Sequence, residues 1–167
     1  MSRAYVLLGS NIQPEDNIRR ALSELSRRFL VVAISPAFET EPVGDPHQPR
    51  FWNLAVELQA EGDPIALHAS LRDIEHTMGR QRDPDRPFGP RSIDLDLILL
   101  EGFAGTFGPV TLPSPQLHRE AFVAVPVAAL APDFVHPELG LSLQDVARMT
   151  LGPDAHRPVQ LPVELRP

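Results

Sequence analysis

The chain has 167 residues, a formal charge of −7, 43% hydrophobic and 22% charged residues, an ordinary composition for one soluble globular domain with a sizeable core. The acidic balance argues against a general nucleic-acid or anionic-membrane surface, so any anion site must be a local patch. All 15 basic residues are Arg and there is no Cys, which excludes lysine nucleophiles, Schiff bases, lysine-dependent phosphate loops, disulfides, thiolate catalysis and zinc–thiolate sites.

The N-terminal apolar patch in MSRAYVLLGSN is too short for a secretory signal. No run approaches the roughly 18 apolar residues of a membrane span. A cytoplasmic protein that binds neither nucleic acid nor membrane is expected. Ala4–Leu8 reads as a buried first strand that ends at the Gly9-Ser10-Asn11 turn. Pro14, Glu15 and Asp16 open a helix whose apolar face is Ile18, Leu22, Leu25 and Phe29. Val31–Phe38 is a β-branched strand. Glu39–Arg50, with three prolines and a glycine, is a loop. Phe51–Ala60 alternates and is expected to pair with the preceding strand.

Asp63-Pro64 starts a second helix that runs to about Met78, with Ile65, Leu67 or His68, Leu71, Ile74 and Met78 on or near its inner face, and Gly79 stops it. Ile93–Leu100 is the next strand. The order β-α-β-β-α-β predicts an α+β, ferredoxin-like core, a mainly antiparallel sheet covered by helices. A C-terminal helical and extended addition follows. Gly102–Leu112 has room for one or two minor strands. Pro115–Leu130 is helical in parts, with Pro126 expected to kink or break it. Ser142–Met149 is a short capped helix. Residues 1–151 are read as one domain. Residues 152–167, with four prolines, are read as an extended, lightly attached tail.

The stretch Gly79–Asp96, GRQRDPDRPFGPRSIDLD, carries the clearest chemistry. Arg80, Arg82, Arg86 and Arg91 lie on a Gly/Pro-punctuated loop. The strand behind it turns Ile93, Leu95 and Leu97 to one face and Asp94 and Asp96 to the other. A DxD pair alone is commonly a charged strand face, and an arginine loop alone is commonly a solvated turn. Side by side they suit a metal-bound polyphosphate, because carboxylates hold Mg²⁺ and guanidiniums grip phosphate oxygens.

A second cluster, Phe38–Asn53, puts Phe51 and Asn53 on one side of a strand, where an aromatic plane and a carboxamide could hold a flat heterocycle. Core packing for Phe51 and a strand-end hydrogen bond for Asn53 fit the same spacing. Phe122 reads by default as another core aromatic. His118 has no nearby acid or nucleophile. His47, His68, His76, His136 and His156 show no metal-ligand spacing.

LGSN at Leu8–Asn11, FETEPVG and FWN within Phe38–Asn53, Glu75 with GRQR, FGPRSIDLDL at Phe88–Leu97 and LPSP with Phe122 occur in that order. Over roughly Ala4–Pro132 the chain closely resembles 6-hydroxymethyl-7,8-dihydropterin pyrophosphokinases of folate biosynthesis. The resemblance implies a ferredoxin-like fold and transfer of pyrophosphate from ATP to the pterin hydroxymethyl group. It implies two Mg²⁺ ions on Asp94 and Asp96, with Arg82 and Arg91 on the triphosphate. Glu75, Leu97, Thr111, Ser114 and Arg119 would lie by the nucleotide. Thr40, Val43, Phe51, Asn53 and Phe122 would hold the pterin. A monomer is expected.

Four positions depart from the family pattern, two of them mildly, Phe88 for a common Trp and Phe51 for a common Tyr. Ser114 stands where a His is usual, and Glu120 stands where an Arg is usual, with Arg119 one place earlier as the expected substitute. Weaker nucleotide binding is the expected consequence. A binding module without catalysis, and a general Mg²⁺-dependent nucleotide phosphohydrolase, are the competing readings.

Overall fold

The computed structural model describes residues 1–42, 44, 46–79, 85 and 90–167. The backbone follows the expected α+β order, except that the single strand expected over Val31–Phe38 is two strands and the second takes in Glu39 and Thr40, expected in the loop. Strand β1 is Ser2–Ser10, helix α1 is Pro14–Arg28, β2 is Leu30–Ile34 and β3 is Phe38–Thr40. Strand β4 (Phe51–Ala60) precedes α2 (Pro64–Thr77), and β5 is Asp94–Leu100. A hairpin of β6 (Gly105–Phe107) and β7 (Val110–Leu112) leads to a 3-10 turn at Pro115–His118. Helices α3 (Ala121–Leu130) and α4 (Leu143–Thr150) and the short β8 (Val159–Gln160) complete the chain.

The main sheet runs β5-β1-β4-β3-β8, and β2 pairs with β4 beyond the end of β3. All its pairings are antiparallel. β2 and β3 therefore lie along successive parts of one β4 edge, interrupted near Pro36. This is the ferredoxin-like arrangement expected from the element order.

Alternation in β1 decides the layering. Ala4, Val6 and Leu8 face α1 and α2, where Ile18, Leu22, Leu25, Leu67, Leu71 and Ile74 complete the larger core. Tyr5 and Leu7 face the other way, toward α3 and α4, with Val123, Val127 and Leu143. Ile93, Leu95 and Leu97 fall on the α1/α2 side, as their alternation predicted. The register places Asp94 opposite Gly9 and Asp96 opposite Leu7, so both carboxylates point to the face that α3 and the 3-10 turn cover.

Local chemistry explains the helix ends. The Asp63 side chain accepts the Ala66 N–H at 3.1 Å and Pro64 occupies the first turn. Ser142 caps α4 by accepting the Asp145 N–H at 3.2 Å.

Three further expectations need correction. Ile65 is exposed rather than inward, because Leu67, Leu71 and Ile74 take the inner stripe of α2. Of the expected kink or break at Pro126 the break does not occur, since α3 continues from Ala121 to Leu130; the proline removes the bond to the Phe122 carbonyl. The C-terminal tail is extended but firmly held. β8 pairs with β3, the Leu161 N–H bonds the Ala37 carbonyl at 2.8 Å, and Leu165 is buried in the larger core. Leu161, Val163 and Leu165 alternate with polar or constrained residues, a period-two signal that the prolines obscured.

Candidate functional site

Two cavities share a wall, the first on the α3 side of the sheet and the second along the β5 edge, where His68 of α2 also lines it. The first, about 360 Å³, lies over β1, β3 and β4 and is closed by the start of α3. Thr40, Phe51, Asn53 and Phe122 line it. The second, about 410 Å³, lies between β5, the β6–β7 hairpin and the 3-10 turn, lined by Leu97, Thr111 and Ser114. Arg91, Asp94, Asp96 and Gln116 border both. One chamber is thus aromatic and carboxamide-lined, the other is polar, and a charged group stands between them.

The register of β3 on β4 builds the first chamber. Thr40 pairs with Phe51 and Phe38 with Asn53, and the Asn53 carboxamide donates to the Thr40 hydroxyl at 3.4 Å. Asn53 can lie flat because its neighbour across the ladder is Gly9. A Cβ on Gly9 would meet Asn53 Oδ1 at 2.8 Å, so any larger residue would push the carboxamide out of place.

At the junction, Arg91 donates to Asp94 at 2.8 Å and its guanidinium lies 5.7 Å from the centre of the Phe51 ring. Behind the junction, Arg72 donates to Asp96 at 3.2 Å and pairs with Glu75 at 3.2 Å. It also donates to the Leu95 carbonyl. Desolvation by the protein around the recess, and then the Asp94 charge, raise the Asp96 carboxyl above its ordinary range against the pull of Arg72 and Arg91. The side chain itself stays 43% exposed and so feels less of that desolvation than a buried carboxyl would. Two like charges held in one recess favour a cation between them. Among the described residues no three His, Cys, Asp or Glu side chains form one metal-sized group. A two-carboxylate oxygen set still fits Mg²⁺, which keeps waters and takes further ligands from phosphate.

Asn11 ties the surrounding loops together. Its side-chain N–H₂ donates to Gln48 Oε1 at 2.9 Å and to the Pro49 carbonyl at 3.0 Å. Its Oδ1 accepts the Arg91 N–H at 2.8 Å, and its own N–H bonds the Arg91 carbonyl at 3.1 Å. Asn11 is buried, so these bonds are shielded from water and hold Arg91 against the end of β1.

Several sequence expectations meet here and some do not. Thr40, Phe51, Asn53 and Phe122 share one chamber; Leu97, Thr111 and Ser114 share the other; Arg91, Asp94 and Asp96 stand between. Arg119, expected beside the nucleotide, lines the first chamber, next to Glu120. Glu75 lies beneath β5, where it accepts the Leu95 N–H at 2.8 Å. Val43 and Arg82 fall outside the described residues, as do Arg80 and Arg86.

Sequence reasoning missed Arg72, His68, Gln116 and Asn11. His68 lines the second chamber, and burial followed by the Arg72 charge lowers its pKa, which favours a neutral ring. Asn11 and Gln48 sat inside recognisable motifs but carried no assigned role. A carboxamide directly after a Gly-Ser strand end was the available signal.

Glu75 makes a testable statement about pH. Burial, opposed by the Leu95 N–H and Arg72, raises its pKa to about 7. A carboxyl with a raised folded-state pKa stabilises the fold while protonated, and that contribution is lost as pH rises from the unfolded-state value toward about 7. In metal-free protein, Glu75→Gln is therefore expected to be more stable than the parent above pH 7, by about 1–3 kcal/mol. The two should converge near pH 4. Urea melts at pH 4.5 and 8 measure this; an equal difference at both pH values would refute it.

Comparisons with known proteins give the chain's relatives. The family model described as 7,8-dihydro-6-hydroxymethylpterin-pyrophosphokinase (HPPK) matches residues 5–132. The 2-amino-4-hydroxy-6-hydroxymethyldihydropteridine pyrophosphokinase of Pseudomonas aeruginosa is 36% identical over 141 residues, covering 83% of this chain and 86% of that protein. Its namesake from Methylorubrum extorquens is 38% identical over 138 residues, covering 81% and 86%. The Schizosaccharomyces pombe "Folic acid synthesis protein fol1" is 37% identical over 145 residues, covering 85% of this chain. There the match spans only 20% of the relative's length.

Among solved structures, a Plasmodium falciparum HPPK-DHPS variant superposes with a TM-score of 0.70 at 11% identity. It covers 88% of this chain and 45% of that one, and at that identity it speaks for the fold alone. The family match over most of the chain, with two bacterial relatives aligned along nearly their whole length, makes this protein a member of the 7,8-dihydro-6-hydroxymethylpterin-pyrophosphokinase family.

Proposed function

We propose that this protein transfers the β,γ-pyrophosphoryl group of ATP to the hydroxymethyl oxygen of 6-hydroxymethyl-7,8-dihydropterin, a step of folate biosynthesis. The observation that carries the reading is the meeting of two chemically unlike chambers at Arg91, Asp94 and Asp96. The aromatic chamber suits the flat pterin, between Phe51 and Phe122 with Asn53 and Thr40 at its polar edge. The polar chamber suits the nucleotide, beside Leu97, Thr111 and Ser114. Val43 and Arg82 keep the roles that the family resemblance implies.

In the reaction the pterin hydroxyl oxygen attacks the β-phosphorus. The bond from that phosphorus to the bridging α-oxygen breaks, AMP leaves with the electron pair, and the hydroxyl proton is released. Such a transfer asks the protein for in-line placement and charge stabilisation more than for covalent chemistry. Mg²⁺, two ions in this reading, would be held by Asp94 and Asp96 and when bound supplies charge neutralisation to the phosphate oxygens. Arg91 reaches the junction from the side of Asp94, where its guanidinium can accompany the transferred group. Phe51 and Phe122 orient the acceptor, and Asn11 keeps Arg91 seated. Arg119 would meet the transferred diphosphate from the pterin side rather than hold ATP.

The described residues that line the two chambers lie within residues 1–151, so the reading does not call on the tail, and the enzyme is read as a monomer. No helix of the described residues is long and apolar enough to cross a membrane, which suits a cytoplasmic enzyme working on two soluble substrates. The test is AMP release, followed with and without the pterin and with and without Mg²⁺. AMP is expected only with both. Steady ATP hydrolysis without the pterin would point to a phosphohydrolase, and substrate binding without product would point to a binding module.

A further inference from the structure

The 3-10 turn Pro115–His118 carries an unusual burden for its length. It holds Gln116 at the border of both chambers, and Arg119 and Glu120, just beyond it, line the first. Its own backbone bonds are Leu117 N–H to the Ser114 carbonyl at 2.9 Å, and Arg119 and Glu120 N–H to the Gln116 carbonyl at 3.2 and 2.8 Å. The Ser114 N–H bonds the Ile98 carbonyl at 2.8 Å and ties the start of the turn to β5, but so short a turn has poor hydrogen-bond geometry, and its far end leans on side chains for position. Leu117 is buried in the smaller core, while Gln116 faces the chambers. That leaves His118.

His118 meets His136, from the connection between α3 and α4, ring edge to ring face with centroids 6.1 Å apart and planes at 86°. His136 is 2% exposed. Its Nδ1 accepts the N–H groups of Glu138 and Leu139, both at 3.2 Å, which puts the proton of the neutral ring on Nε2. Burial lowers the pKa of this imidazole and so favours the neutral form. Among the described residues, His136 Nε2 is buried without a hydrogen-bond partner, and so is His118 Nδ1. One is a donor. The other, in a neutral His118 protonated at Nε2, is an acceptor. Two complementary buried groups on touching rings are costly apart and satisfied together, through a small ring rotation or one bridging water.

We propose that His118 is a positioning residue for the reaction: through His136 Nε2–H it latches the 3-10 turn to the α3–α4 connection, and so fixes Gln116 and Arg119 at the chamber walls. The kinetic part of the test rests on the proposed pyrophosphokinase activity; the exchange part does not. His118→Phe keeps the ring bulk and loses the acceptor, whereas the Oδ1 of His118→Asn can stand where Nδ1 stood. His118→Phe is expected to raise KM for both substrates about fivefold or more, with kcat within about twofold of the parent. His118→Asn should stay near parental values. In protein without substrates, amide hydrogen exchange at Leu117, Arg119 and Glu120 should speed up in His118→Phe and not in His118→Asn. If the Phe variant does not fold, His118→Ala replaces it without overpacking. Equal behaviour of the acceptor-free and Asn variants in exchange overturns the latch. Unchanged KM in an acceptor-free variant of an active parent overturns its role in the reaction. A parent that makes no AMP refutes the activity and leaves exchange to decide the latch.

Discussion

Asp96→Ala is expected to lower pterin-dependent AMP formation by about a thousandfold, while the protein melts close to the parental temperature. The reason lies in where Asp96 sits. Its side chain is 43% exposed to the shared recess, so the substitution leaves no core cavity. Arg72 keeps Glu75 as a partner at 3.2 Å, so no buried cation is stranded. What disappears is one of two carboxylates facing the junction, and with it the oxygen donors that suit a phosphate-bound divalent ion. Calorimetry with Mn²⁺ and a non-hydrolysable ATP analogue gives a second readout, in which metal-dependent nucleotide binding should weaken in parallel. A variant that turns over within tenfold of the parent would remove Asp96 from the proposed role.

Arg91→Ala should cost about a hundredfold or more in kcat/KM. The bonds that seat residue 91 on Asn11 are made by its backbone N–H and carbonyl, so truncation leaves the loop anchored and isolates the guanidinium. Lost with it are the 2.8 Å bond to Asp94 and the contact with the Phe51 ring. Lysine should restore little, because a single ammonium cannot grip Asp94 and lie flat over an aromatic ring at once. Rate measurements at saturating and limiting concentrations of each substrate would check this. Full rescue by Arg91→Lys would mean that only net charge matters there.

Asp96 and Arg91 are both legible in the sequence alone. The alternation of apolar and acidic residues in SIDLD states that Asp94 and Asp96 share a face, and the structure agrees because a period-two pattern is a property of the local backbone. Phe51 and Asn53 are legible for the same reason. Arg119 shows where such reasoning ends. Its place in the motif suggested a nucleotide contact, and the turn that precedes α3 sets it in the wall of the first chamber, beside Phe122. A shift of one residue at the end of a 3-10 turn re-aims a side chain by a large angle, and sequence spacing does not record that.

Arg72 and Asn11 illustrate a different gap. Arg72 lies on α2 in a pattern that reads as an ordinary exposed helical cation, but α2 crosses β5 so that Arg72 spans Glu75 and Asp96. Asn11 bonds residues 37 to 80 positions away. The tail deceived in the opposite direction, since its prolines suggested loose attachment while Leu165 fills the main core.

The sequence by itself determined the order of the core elements, the two faces of β5, the pairing of carboxylates, and the family to which those motifs point. Each depends on interactions among residues a few positions apart, where helix and strand periods act. Only the tertiary structure decided that the site is two chambers with Arg91, Asp94 and Asp96 between them, that Arg72 backs one carboxylate, and that His118 faces His136. These follow from how the 3-10 turn, α2 and the α3–α4 connection pack on the sheet. Side chains distant in the chain then compete for the same buried hydrogen bonds, and which of them meet is settled by packing and burial.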